Sequence, residues 1–288
     1  MANNRRKFLN HSAIGIFGLL PFLHKKSPHS SIINPTITKG VNTPDNNIYS
    51  LYPSTDPAVI SEVVGAAHTN LDKVKALVTQ RPELAKATYN WGFGDVESAL
   101  GAASHMGRKD IAEFLIEYGA RPNIFTFAML GRLNTIKAMV EDLPGIHKIN
   151  GPHGFTLMHH AQIRLRRDMV QGVEKEQQEA LVAYLESLGD ADIRDTSLEI
   201  SAEEKKIYLG KYVFGEKGNE YFQLTENTRG MLFMSRGEHT GRVLNRTGDH
   251  TFAPGGAPSV AIKFELQNGN VTSLTIHDPD PIIKAIKA

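Results

Sequence analysis

The sequence predicts a multidomain α + β protein: a stacked-helix solenoid followed by a small antiparallel β barrel or curled sheet. Two observations carry this. A quartet of large apolar residues at i, i+3, i+4, i+7, the period of one helix face, recurs along residues 56–195. After Asp195 the helical period gives way to short alternating segments separated by glycine-rich turns.

The second repeat unit is the clearest. In Asp95–Asn123 a short helical run carries Ala102 and Ala103, Gly107 breaks it, and Ile111, Phe114, Leu115 and Tyr118 fall on one face of a second helix that Gly119 ends. Unit one carries Ile60, Val63 and Val64 on its first helix and Val74, Leu77 and Val78 on its second. Unit three runs from Phe125–Leu130 into Ile136, Met139, Val140 and Leu143. Unit four begins Gly154-Phe155-Thr156-Leu157-Met158-His159 and continues to Leu181, Tyr184, Leu185 and Leu188. The quartets start at residues 74, 111, 136 and 181, spacings of 37, 25 and 45. The charged segment 163–178 is the expected insertion that lengthens the last pair.

Such recurrence is the pattern of helix pairs that bury their faces only against neighbours. The phrase Gly119-Ala120-Arg121-Pro122-Asn123 and the stretch Gly154–His159 resemble the linker and the G-x-T-P-L-H motif of ankyrin repeats, with Leu157 where that motif has proline. The resemblance covers residues 56–195 and implies a protein-binding surface; it implies no cofactor and no catalytic residue. In ankyrin-like arrays the inter-repeat turns and short first helices line a concave face. The positions expected there are Asn90, Trp91, Phe93, His105, Met106 and His153. Trp91 is the only tryptophan, and an aromatic ringed by polar groups is the usual composition of a binding hot spot.

In the C-terminal part, residues 206–288, Asn268-Gly269 joins two alternating runs, 261–266 and 271–276, as a β-hairpin. Further strands are expected at 208–214, 220–224 and 231–234. Tyr208-x-Gly210-x-Tyr212, with the later Phe264, Gly269, Val271 and Leu274, resembles the lipocalin-like accessory domain that follows some bacterial serine hydrolases. Where that domain accompanies an enzyme, the catalytic residues lie elsewhere. A small barrel can still enclose one ligand, so a carrier or enzyme with its pocket there is the alternative reading.

Residues 1–26 read as an export signal. Arg5-Arg6-Lys7-Phe8-Leu9 precedes an apolar run, 13–23, that is too short to span a bilayer core of roughly 30 Å. Arg5, Arg6, Phe8 and Leu9 match the core of bacterial twin-arginine signals, which this stretch resembles and which implies a periplasmic or extracellular protein. Residues 27–55, rich in Ser, Pro and Asn, read as a spacer.

The chemistry-bearing residues are few. There is no cysteine, hence no disulfide and no thiolate ligand. Outside residues 1–26 the chain has 27 basic and 31 acidic residues, a net charge of −4 that argues against a nucleic-acid partner. His153, His159 and His160 fall within eight residues, but neighbours on a helix do not face one point, so no metal site is expected from them. Arg164, Arg166 and Arg167 with Glu174, Glu176 and Glu179 read as a solvated helix face. No nucleophile motif or phosphate loop is present. The expected role is non-catalytic binding of a protein partner.

Overall fold

A computed structural model of the chain describes residues 53–237 and 241–288. The expected export signal (Arg5, Arg6, Phe8, Leu9) and the spacer up to residue 52 lie outside them. The described residues form nine helices and ten strands, and no helix among them is long and apolar enough to cross a membrane.

Eight of the helices form four pairs: α1 (Pro57–Ala66) and α2 (Leu71–Gln80), α3 (Ala99–His105) and α4 (Lys109–Glu117), α5 (Ile124–Met129) and α6 (Leu133–Asp142), α7 (Leu157–Arg166) and α8 (Gly172–Leu188). Short polar side chains set where they begin. Asn70, Ser98, Asn123 and Thr156 each accept a hydrogen bond from a first-turn N–H of the helix that follows. The first helices pack in series, α1 on α3, α3 on α5 and α5 on α7, as do α2 on α4 and α6 on α8. Val63, Val74, Val78, Ile111 and Leu115 lie in one core and Ile136, Leu157, Leu181 and Leu185 in a second. The last pair is the longest, as the charged insertion implies.

Three details differ from the sequence reading. The run expected to turn helical at Asp95 first forms strand β2 (Val96–Ser98), paired with β1 (Thr88–Asn90), and helix α3 starts only at Ala99. Leu143 is 55% exposed rather than part of the buried quartet, because α6 ends before it. Arg164 is not on a solvated face: it is buried and pairs with Glu174 at 2.7 Å.

The C-terminal part is a closed eight-stranded barrel, which resolves the choice between barrel and curled sheet. Strands β3 (Gly210–Phe214), β4 (Glu220–Glu226), β5 (Leu232–Arg236), β6 (Arg242–Gly248), β7 (Thr251–Pro254), β8 (Ala261–Gln267), β9 (Asn270–His277) and β10 (Pro281–Lys287) each pair antiparallel with the next, and β10 closes on β3. The hairpin at Asn268-Gly269 has both residues at positive φ, 51° and 77°, the backbone a two-residue turn of this hand requires. Inward-pointing Tyr212, Phe222, Leu224, Ile262, Phe264 and Leu274 fill the interior with Tyr208 and Phe252. Ahead of it, α9 (Ala202–Lys206) is held by a capping box, and Lys205 pairs with Glu226 at 2.7 Å.

Candidate metal centre at the joint of helices and barrel

The β1–β2 hairpin carries the central groups. Because side chains alternate along a strand, Asp95 and Glu97 face the same way, both buried, while Val96 between them is 53% exposed. Two buried carboxylates side by side demand partners, and three histidines supply them from different segments.

His68 stands in the turn after α1, with Nδ1 donating to the carbonyls of Val64 and Gly65, each at 3.1 Å. His105 is the last residue of α3 and is 4% exposed. His153 sits in the turn before α7 at φ 60°, where its backbone N–H donates to Asp95 Oδ1 at 2.9 Å and its ring Nδ1 to Oδ2 at 2.6 Å. With Nδ1 of His68 and His153 so engaged, Nε2 of each is left to face Glu97. The separations are 3.5 Å from His68 Nε2 and 3.4 Å from His153 Nε2 to Oε2, and 2.8 Å from His105 Nε2 to Oε1. Trp91 Nε1 donates to Oε2 at 2.8 Å. The ligating atoms of His68, Glu97, His105 and His153 all lie within 4.8 Å of one another.

This donor set suits a divalent transition-metal ion. Three imidazoles and a carboxylate are borderline ligands of the kind zinc takes, and a tetrahedron with bonds of about 2.0–2.1 Å has edges near 3.3 Å, close to two of the separations here. The outer partners follow the pattern of metal-ligating histidines, whose second nitrogen donates to a carboxylate or a backbone carbonyl. His105 Nε2 and Glu97 Oε1, though 2.8 Å apart, are not aligned as a hydrogen bond, and both atoms are buried without one, as is His105 Nδ1. An ion between the two would satisfy the pair of facing atoms.

The electrostatics set the protonation of these groups in the metal-free protein. Burial alone would raise the Glu97 carboxyl, but the imidazoles of His105 and His153 outweigh it and hold the group well below the carboxylate range. Burial likewise works against charge on His153, yet the Asp95 and Glu97 carboxylates pull its pKa up to about 9, so a metal ion would have to displace a proton from it. His105 is pushed down, chiefly by burial, and so is held neutral, the form a metal needs. The carbonyl ends of α1 and α3 add partial negative charge beside His68 and His105.

The barrel closes the site from above. Arg242 of β6 donates to Asp95 Oδ2 at 2.6 Å and to the Gly255 carbonyl at 2.9 Å. Gly256, in the β7–β8 loop at φ 80°, lies so close that a Cβ there would sit 2.9 Å from the Gly154 nitrogen and the His153 carbonyl carbon. Only glycine permits this approach, and it fixes the backbone of the His153 turn. A pocket of about 270 Å³, lined by His68, Trp91, His153 and Arg242, opens onto the cluster.

The six expected partner-binding residues divide. Trp91, His105 and His153 converge on this centre. His105 is buried, with Nε2 facing Glu97. Phe93, at φ 55°, packs against the barrel core of its own chain. The Met106 carbonyl and sulfur accept from Arg167 at 3.1 and 3.8 Å. Asn90 is exposed, and its Oδ1 accepts from the Gly92 N–H at 2.9 Å. Asn90, Trp91 and Phe93 do line one groove, about 1090 Å³, between the α1–α2 turn and the barrel.

Sequence reasoning missed His68, Asp95, Glu97 and Arg242. A signal for the first existed: His68 lies six residues before Val74 and His105 six before Ile111, the same phase of consecutive units. His159 and His160, expected to diverge, do so. His159 Nε2 donates to the His105 carbonyl at 3.0 Å, and His160 Nδ1 to the Thr156 carbonyl at 2.8 Å. Comparison with protein-family models, with curated proteins and with solved structures finds no match for this chain.

Proposed function

We propose that this protein binds a divalent transition-metal ion of the zinc class, held by Nε2 of His68, His105 and His153 and by the Glu97 carboxylate. The observation that carries the reading is the convergence of these four ligating atoms within 4.8 Å, two of the histidines being oriented through Nδ1. In it, an ankyrin-like array and a lipocalin-like barrel serve as two walls of one metal centre, and the N-terminal arginine pair directs export. The His159 bridge between the second and fourth helix pairs supports the ankyrin-like stacking. Cobalt(II) substitution tests the reading. The metal-free chain should take up one equivalent and develop the intense visible absorption of a tetrahedral site. His105→Ala or Glu97→Gln should lose it, with affinity falling about 100-fold or more. No uptake above that of the double variant H68A/H153A would overturn the proposal.

Capture of a protein segment by the array is the second reading, favoured by the groove that Asn90, Trp91 and Phe93 line. Trp91→Phe keeps the bulk and loses only the indole N–H. Trp91→Ala, if that groove takes a partner, should lower recovery of a cross-linked protein from the native compartment where Trp91→Phe does not. Equal recovery with both variants would contradict it.

A further inference from the structure

A second feature surrounds the centre. His105 and His153 also line a cleft of about 740 Å³ on the side facing α7 and the barrel. Five arginines line it: Arg166 and Arg167 at the end of α7, Arg194 in the connection to the barrel, Arg229 in the β4–β5 turn and Arg242 in β6. Asp195 is the acidic residue of the lining, and its Oδ2 accepts from the Gly256 N–H at 3.0 Å. The body of the chain beyond residue 26 carries a net charge of −4, so five guanidinium groups on one cleft run against the overall balance.

Three of these cations, Arg166, Arg167 and Arg194, crowd one another, while Arg242 is paired with Asp95 at 2.6 Å. The Arg166 guanidinium is held below its ordinary range, first by partial desolvation and then by Arg194 and Arg167, with Asp192 opposing. Arg166 donates to His159 Nδ1 at 3.0 Å, and Arg167 to the Met106 carbonyl at 3.1 Å, neutral acceptors that leave the charge uncompensated. Arg194 pairs with the exposed Asp192 at 2.9 Å. Like charges gathered from separate segments repel, and an oxyanion whose oxygens several planar forks can share relieves that repulsion. Phe155 and Phe233 supply apolar surface in the same cleft, and its volume suits a small organic ligand.

We infer that this cleft binds a small oxyanion with two or more negative charges, a phosphate or phosphate monoester, whose bound position adjoins the metal centre. The anion site stands on the arginines alone; its coupling to the ion rests on the metal reading. An anion beside a bound cation is favoured by it, and the favour is reciprocal, so each tightens the binding of the other.

The test is calorimetric titration of the full chain with inorganic phosphate and with phenyl phosphate, at constant ionic strength, in metal-stripped and zinc-loaded forms. Acetate serves as the singly charged comparison. Arg194 and Arg229 are exposed, so their replacement leaves the core intact. In the metal-stripped protein both phosphates should bind more tightly than acetate, and R194A/R229A should weaken them at least about tenfold. Arg121→Ala, an exposed arginine off the cleft, should leave them unchanged. Zinc loading should tighten phosphate about five-fold or more. Phosphate no tighter than acetate, or R194A/R229A equal to the parent, overturns the anion site. A preserved arginine effect with no response to zinc overturns its coupling to the centre. A chain that takes up no zinc sinks the metal reading, while the metal-stripped titrations still decide this one.

Discussion

The barrel and the helical array bury different chemistry. The barrel interior is largely apolar: the rings of Tyr208, Tyr212, Phe252 and Phe264 pack edge to face among aliphatic neighbours, with centroids 4.8–5.8 Å apart, and the Tyr212 hydroxyl donates to the Tyr208 carbonyl at 2.7 Å. The array buries polar groups. Of the twelve buried polar or charged residues among those described, ten fall between Asp95 and Gln178, and Lys205 and Ser273 belong to the barrel part. A closed sheet satisfies its own backbone and can be filled with apolar side chains. Short stacked helices leave ends and turns between the pairs, which need polar partners. Polar side chains recruited to such seams sit where several segments meet, the place where a ligand site can form. The barrel contributes to the site from its rim, through Arg242 and Gly256, rather than from its interior.

Packing variants should expose the contrast most strongly. Phe252→Ala, in the barrel core, should cost about 3–5 kcal/mol and Leu115→Ala, in the array core, about 2–5 kcal/mol in chemical denaturation. Phe114 shares the helix face of Leu115 but is only half-buried, so Phe114→Ala should cost less than about 2 kcal/mol. Equal losses for Phe114 and Leu115 would mean that the array core extends to its rim.

Asp95→Asn tests the link between the two regions. It keeps the shape while weakening the anchor of both His153 and Arg242. Zinc affinity should fall about 10- to 100-fold, with the far-UV circular dichroism unchanged. An unaltered affinity would show that the carboxylate does not orient His153.

The array should also be the acid-sensitive half. Burial holds His160 neutral with its pKa pushed down to about 3, and His159 down to about 4. Unfolded, each binds a proton near pH 6.5. Their folded values are depressed, so the unfolded chain binds more protons below that point. The resulting stability is complete above about pH 6.5 and is lost as pH falls, by about 1.4 kcal/mol per pH unit for each histidine. His160→Gln should remove one proton's share of that slope between about pH 6 and 4.5. In the metal-free protein His153 acts in the opposite sense. Its contribution is present below about pH 6.5 and is lost as pH rises toward about 9. A stability curve flat from pH 7 to 4.5 would contradict the neutral burial of His159 and His160.

The smallest effect belongs to the turn of the β8–β9 hairpin. Gly269→Ala forces a side chain onto a residue at φ 77°, with nothing near it to clash. The cost should be about 1 kcal/mol, from the backbone alone. A loss above about 3 kcal/mol would mean that the hairpin packs differently.

Local pattern was legible in the sequence and long-range convergence was not. The helix pairs and the Asn268-Gly269 turn are written in neighbouring residues, and both appear in the fold, although Leu143 of the third quartet is exposed and Phe114 of the second only half-buried. Closure of the barrel depends on Ile286 and Lys287 pairing with Val213 and Tyr212, more than seventy positions away. Strand β10 hides itself further, since it opens with a proline and leaves Ile282 and Ile286 exposed. For the site, chain proximity pointed to His153, His159 and His160, but adjacent helical residues diverge. The histidines that meet include His68 and His105, brought together by the packing of the first helix pair on the second, and His153, brought to them from the turn before α7. Asp95 and Glu97 were within reach, as an alternating pair next to Val96, had residues 95–98 been read as strand rather than as the start of a helix.

Zinc K-edge X-ray absorption on the zinc-loaded full chain tests the central claim most directly, because it reports the ligands themselves. The centre described here predicts one zinc per chain with a first shell of three imidazole nitrogens and one carboxylate oxygen at about 2.0–2.2 Å, reduced to two imidazoles in His105→Ala. A six-coordinate oxygen shell, or one indifferent to His105→Ala, would place the zinc elsewhere and contradict the account.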